Sequence, residues 1–147
     1  MSSFVEFENA YKVVKKLRDP NGGCPWDLEQ THKSLAQFAV EEAYELSHAI
    51  EEGDPKAIES ELGDLLLQVL LHGTIGEENK HFDIESISKA LSDKIIGRHP
   101  HVFGEDAEKI SYEEVKDRWE KMKQEEKASA SKGSFYISQE DAFCPSL

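Results

Sequence analysis

The stretch Gly53-Asp54-Pro55-Lys56-Ala57-Ile58-Glu59-Ser60-Glu61-Leu62-Gly63-Asp64-Leu65-Leu66-Leu67-Gln68-Val69-Leu70-Leu71-His72-Gly73 decides how this chain folds. Gly53 suits the C-cap of one helix, Asp54 the N-cap of the next, and Pro55 its first position. From Leu62 onward nearly every residue is apolar, which predicts a helix buried on most of its sides and running to Gly73 or Glu78. Two carboxylates stand near its head. Glu61 and Asp64 are three residues apart and share a face. A buried carboxylate without a partner is destabilising unless it is protonated, paired or bound to a metal. Asp64 weighs most, because aspartate is a poor helix former and here it sits among leucines. Gly63, between the two, weakens a helix by about 1 kcal/mol relative to alanine. It therefore predicts close approach by a neighbouring helix or by a ligand shell.

The preceding helix covers about residues 31–52, with Leu35, Phe38, Ala39, Ala43, Leu46, Ala49 and Ile50 on its apolar face. The link to the next helix is so short that the two must pack as an antiparallel hairpin. Glu42 and Glu45, also three apart, lie in the second half of this helix; Glu61 and Asp64 lie in the first half of the next. Antiparallel pairing brings those regions together, so four carboxylates converge. They repel unless some protonate or a hard cation sits among them. Oxygen-only ligands favour Mg²⁺, Mn²⁺ or Ca²⁺ over zinc and copper. No 12-residue calcium loop is present, and Mg²⁺ commonly binds a few carboxylates together with substrate phosphates. The pattern points to phosphate chemistry. Glu51, Glu52 and Glu59 fit the plainer reading of a solvated helix face, as Glu41 also does by its spacing.

Outward from the hairpin the chain stays helical. Residues 3–17 read as an amphipathic helix with Ser3 and Glu6 as a capping box and Phe4, Phe7, Tyr11, Val14 and Leu17 as a core stripe. Arg18 to Gln30 reads as a loop, because two prolines and two glycines interrupt any regular element. Trp26 within it either covers an edge of the core, the reading its setting favours, or offers a flat surface to a ligand. Asp83 caps a further helix with Ile84, Ile87, Leu91 and Ile95 on one face. Its pattern stops at Arg98-His99-Pro100-His101-Val102-Phe103-Gly104. A last helix opens with Ser111 and Glu114 as a capping box and carries Tyr112, Val115, Trp119 and Met122. No stretch alternates as a strand does. The expected fold is all-α, an antiparallel bundle of about five helices with a metal site between the second and third. Residues 1–127 form the expected domain. Residues 128–147 begin as a linker-like Ala-Ser-Ala-Ser-Lys-Gly-Ser and are expected to be poorly ordered. The surplus of apolar positions on the third helix, beyond what one hairpin covers, predicts a homodimer.

Composition sets outer limits. The chain has 147 residues, 38% hydrophobic and 32% charged, with a net charge of −13. That balance suits one globular domain with no basic face, which argues against binding duplex nucleic acid. No apolar run is long enough to span a membrane, and the first residues lack the pattern of an export signal, so the expected location is cytoplasmic. Cys24 and Cys144 are expected to be free thiols, and no Cys-x-x-Cys supports a zinc ribbon. Phosphate-binding glycine loops and nucleophile elbows are absent. Lys94 and Arg98 complement a helix dipole on the plain reading; beside a triphosphate they become phosphate partners. His99 and His101 read as packing or capping groups, and Trp119 as core before nucleobase stack.

Several of these segments carry a resemblance. Cys24-Pro25-Trp26-Asp27, Glu29-Gln30-Thr31, Glu41-Glu42-Ala43-Tyr44-Glu45, Glu61-Leu62-Gly63-Asp64-Leu65-Leu66 and Arg98-His99-Pro100-His101-Val102-Phe103 resemble, in order, the MazG nucleoside triphosphate pyrophosphohydrolases. The likeness spans residues 7–125. It implies a helical, intertwined dimer that cleaves NTPs and dNTPs to NMP and pyrophosphate with Mg²⁺, Mn²⁺ being a possible substitute, as a house-cleaning activity on nucleotide pools. It implies Glu42, Glu45, Glu61 and Asp64 as metal ligands and Glu41 as the residue that positions or deprotonates the attacking water. Lys94 and Arg98 match positions that face the phosphates. Trp119 and Lys123 match a late helix of the nucleotide pocket, and Trp26 joins the substrate-binding set. Many bacterial members carry two copies of this domain and the sequence here holds one, similar to the first. The alternative is therefore a metal- or nucleotide-binding helical module of weak or no activity.

Overall fold

A computed structural model describes residues 3–105 and 108–129. Among them are seven helices and no strand: α1 (Val5–Leu17), α2 (Pro25–Leu28), α3 (His32–Glu52), α4 (Pro55–Glu78), α5 (Ile84–Arg98), α6 (Pro100–Phe103) and α7 (Tyr112–Ser129). The chain divides into two compact units, one ending at Leu91 and the other beginning at Ser92, with the boundary inside α5.

In the first unit the expected hairpin is present. Thr31 caps α3 through a full capping box with Ser34. Gly53 closes the helix in the left-handed conformation, at φ 75°, where a side chain would be strained. Asp54 then accepts from the Lys56 amide at 3.2 Å, with Pro55 at the start of α4. α4 packs against both α3 and α1. The core is Val14, Leu35, Leu70, Leu71, Ile75 and Ile84, with Ala10, Tyr11, Phe38, Leu67 and Ile87 against it. Two hydrogen bonds to Glu77 of α4 fix α1: the Tyr11 hydroxyl donates at 2.8 Å and the Lys15 ammonium at 2.9 Å.

Several expectations need correction. The core stripe of α1 is partial, since Phe4 is 69% exposed. Its N-cap is Phe4, without a side-chain capping bond, so the Ser3–Glu6 box does not form. Helix α4 is not buried on most sides. Its second half is, but Leu62 is 50% exposed and Gly63 and Asp64 are exposed with it. Nothing lies within 4 Å of where a Gly63 side chain would begin. Close approach happens instead at Gly73 and Gly76, where an added Cβ would run into Ile84 and Phe82. The count of about five helices becomes seven because two prolines read as breakers, Pro25 and Pro100, each start a single-turn helix. A proline at the first helical position loses no helical hydrogen bond.

The loop from Arg18 to Gln30 thus contains α2, and Arg18 anchors it. The guanidinium, with 8% of the side chain exposed, donates to the backbone oxygens of Asp27 and Gln30 and forks onto Glu78 at 2.9 and 2.7 Å. Glu78 raises the already high pKa of Arg18 further. In the second unit, Ser111 accepts from the Glu114 amide at 3.2 Å to open α7, while the Glu114 carboxylate turns to Arg118 at 2.6 Å. Cys24 is a free thiol. Cys144 and nearly all of the tail expected from residue 128 lie outside the described residues.

Candidate active site

The register of α3 against α4 follows from the short Gly53-Asp54 link: residues early in α3 meet residues late in α4. His32 and His72 show this directly, with their Nδ1 atoms 2.7 Å apart and their rings stacked at 5.0 Å. Further along the same seam, Glu42 and Glu45 of α3 meet Glu61 of α4. One carboxylate oxygen from each lies within 4.8 Å of the others. Glu42 and Glu61 are partly buried, and in each Oε2 is shielded from solvent without a hydrogen-bond partner.

Burial raises the pKa of the Glu42 carboxyl, and the charges of Glu45, Asp64, Glu61 and Glu41 raise it further. Glu61 is likewise raised by burial, by Glu45 and Asp64, and by a hydrogen bond with the Glu45 carboxyl group. A carboxylate raised by its neighbours is one whose charge lacks compensation. The physical weight of the site therefore rests on Glu42 and Glu61. The buried, unpaired carboxylate ascribed to Asp64 is not found there. Asp64 is exposed and stands outside the group of three, although its charge reaches both Glu42 and Glu61. Glu41 is exposed and acts on Glu42.

The donor set suits a hard divalent cation. All three converging ligands are carboxylate oxygens, and two leave lone pairs facing away from water. That is the ligand chemistry of Mg²⁺ or Mn²⁺, not of thiophilic metals. Trp26, also of the first unit, is half exposed and sets its ring edge-on to Phe38 at 5.8 Å. It covers an edge of the core and leaves much of its surface open.

Lys94, Arg98, Trp119 and Lys123 belong to the second unit. There Arg98 lies 5.8 Å from the centre of the Trp119 ring, and so does the Lys123 ammonium. His99 meets the same ring edge-on and pairs its Nδ1 with the Ile95 carbonyl oxygen at 2.7 Å. The Trp119 indole nitrogen and His101 Nδ1 are buried without partners. Trp119 is thus partly buried beside two cations, a more charged setting than that of a core tryptophan. The sequence reading passed over Glu126, which forks onto Arg98 through both oxygens. Its only signal would have been a carboxylate three residues after Lys123 on the same helix face.

Fold and site together define an all-helical protein whose candidate centre is a cluster of carboxylates on a helical hairpin. The model of the MazG nucleotide pyrophosphohydrolase domain matches residues 30–103, and the chain belongs to the MazG family. It is 43% identical over 141 residues to the nucleoside triphosphate pyrophosphohydrolase/pyrophosphatase MazG of Thermotoga maritima, covering 96% of this chain and 52% of that protein. It is 41% identical over 129 residues to the nucleoside triphosphate pyrophosphohydrolase of Escherichia coli K12, covering 88% and 49%. The chain therefore spans about half the length of these relatives. A crystal structure of a MazG-related protein from Thermotoga maritima shares the fold at TM-score 0.63 and 29% identity, over 80% of this chain and 98% of that one.

Proposed function

We propose that this protein hydrolyses nucleoside triphosphates, both NTPs and dNTPs, to the monophosphate and pyrophosphate in a Mg²⁺-dependent reaction. One observation carries the reading: Glu42 and Glu61 each hold a shielded carboxylate oxygen without a partner, in a cluster with Glu45. The names of the relatives supply the substrate class. Glu42, Glu45 and Glu61 would hold the ion, with Asp64 completing the set. A bound divalent ion would supply charge neutralisation for the phosphates and a more acidic water.

The chain's own residues then have distinct tasks. Glu41, exposed beside Glu42, orients a water molecule and takes its proton. The water oxygen bonds to the α-phosphorus, and the bridging oxygen leaves with pyrophosphate. Attack of this kind depends on positioning and on stabilising charge, with no covalent intermediate. Lys94 and Arg98 are the cations for the phosphate chain. Trp119 and Lys123 serve the nucleoside end, and Trp26 offers a further stacking surface. The protein works as a homodimer, a reading supported by the exposed apolar face of α4.

Incubation with a panel of NTPs and dNTPs in Mg²⁺, with products separated by ion-exchange chromatography, tests the proposal. NMP and pyrophosphate in equal amounts are expected. NDP with orthophosphate, or no turnover of any nucleotide, overturns it.

A further inference from the structure

Arg98 already holds an anion. Its Nε donates to Glu126 Oε1 at 3.1 Å, and its Nη2 donates to Oε2 of the same carboxylate. The fork-to-fork arrangement is the one a guanidinium makes with a phosphate. Arg98 holds the Glu126 carboxyl below the usual carboxylate range, and the charge of Lys94 adds to this. Lys123 lies one helical turn before Glu126, over the Trp119 ring that Arg98 also overlies. The Glu126 carboxylate therefore occupies an anion-binding edge of a group of cations. Exposure is uneven: 17% of the Arg98 side chain is exposed against 47% of Glu126. The cation is the more buried member, and the carboxylate has solvent beside it.

We infer that Glu126 is an internal stand-in for phosphate, which keeps Arg98 oriented in the ligand-free protein and must be displaced when a phosphate chain binds. Glu126 is thereby a positioning residue that acts through Arg98. The inference rests on the proposed role of Arg98 toward the phosphates. A competing internal anion raises the ligand concentration needed for binding. It also returns Arg98 to a charge partner when product leaves, which favours release of pyrophosphate. The opposite role, a brace that merely fixes α5 to α7, predicts the opposite sign: loosening Glu126 would weaken ligand binding.

Calorimetric titration of the full chain with magnesium pyrophosphate and with magnesium α,β-methylene-ATP, which resists cleavage at the bond in question, separates the two. Glu126→Gln keeps the shape but not the charge, and Glu126→Asp keeps the charge but not the reach. Both are expected to bind about two- to fivefold tighter than the parent, the range set by an exposed ion pair. Glu125→Gln, which removes the same charge from the exposed neighbouring position, controls for general electrostatics and is expected to leave affinity unchanged. In turnover, Glu126→Gln is expected to lower KM without raising kcat. Unchanged or weaker binding in both Glu126 variants, or equal tightening in Glu125→Gln, overturns the inference. If no NTP is cleaved but Glu126→Gln still tightens on pyrophosphate, the hydrolase reading fails and the stand-in survives. If NTPs are cleaved and the Glu126 variants do not tighten, the reverse holds.

Discussion

The fold holds Glu42 and Glu61 where their charge is not compensated. Both are pushed above the ordinary glutamate value of about 4.3. A group whose folded pKa is raised stabilises the fold fully below its unfolded pKa and loses that contribution as pH rises through the folded value. Metal-free protein should therefore lose stability as pH climbs above about 4.3. Glu77 and Glu126, held low by Lys15 with Tyr11 and by Arg98, act in the opposite sense only at lower pH. Glu61→Gln should flatten this dependence. It should leave the metal-free protein at least as stable near neutral pH, while abolishing the rise in Tm that Mg²⁺ gives the parent. Thermal melts across pH with and without Mg²⁺ check both; a parent melt indifferent to Mg²⁺ would refute the metal reading. Loss of NTP turnover in Glu61→Gln should exceed the roughly 10- to 100-fold that removing an outer-shell metal partner costs. Spacing made the convergence of the two pairs legible, since i and i+3 positions and a short link determine which faces meet. Spacing does not report how deep each carboxylate sits. That is why the weight assigned to Asp64 belongs to Glu42 and Glu61.

At the level of elements, the glycines of α4 divide by what they touch. Gly63→Ala adds a methyl group where nothing lies within 4 Å, so it should stabilise the fold by about 0.5–1 kcal/mol through helix propensity. Gly73→Ala and Gly76→Ala place the same atom against Ile84 and Phe82 and should destabilise by about 1–3 kcal/mol. Urea unfolding of the three variants distinguishes the positions, and a uniform effect would contradict the packing. Arg18→Met removes the anchor of the α2 segment and leaves the backbone oxygens of Asp27 and Gln30 without that donor. A loss of about 1–3 kcal/mol follows, with protease sensitivity rising first between residues 18 and 30. Several element boundaries could be read from the chain, because caps are local chemistry: Gly53 and Asp54-Pro55 act as their types predict, and so does Asp83, which exchanges bonds with Ser86. Misreadings came where one residue type has two uses. Pro25 and Pro100 start helices as readily as they break them. Arg98 reads first as a dipole partner from sequence and as an anion ligand only beside a phosphate chain, and its pairing with Glu126 depends on tertiary approach across 28 positions.

The fully buried core of the first unit is small for the number of apolar residues it carries; among the described residues, Leu35 and Leu70 are the large side chains sealed from solvent. On α4, Leu62, Leu66 and Val69 follow at helical spacing and all remain substantially exposed, and on α3 so do Val40 and Tyr44. A contiguous apolar face of that kind is uncommon on a monomer and more often marks an interface. No helix among the described residues is long and apolar enough to cross a membrane. A second copy of the chain would cover the stripe: leucine and valine rows on a helix interdigitate well with their own kind, and a two-fold interface uses the same patch twice. Such an interface needs about 800 Å² from each partner, more than three side chains supply, so neighbouring α3 positions must take part. Light scattering at micromolar concentration should give twice the chain mass. The double variant Leu62→Glu/Val69→Glu should give a single-chain mass, because each glutamate would be buried against its symmetry mate without a partner. It should also melt lower than the parent, and its Tm should no longer rise with protein concentration as that of a dimer must. A single-chain mass for the parent across the micromolar range would show that the exposed stripe serves another purpose. The Leu62 position would link such an interface to the candidate site, since Glu61 and Asp64 flank it on the same helix. If the dimer forms, the variant should therefore lose part of its Mg²⁺-dependent stabilisation along with its partner.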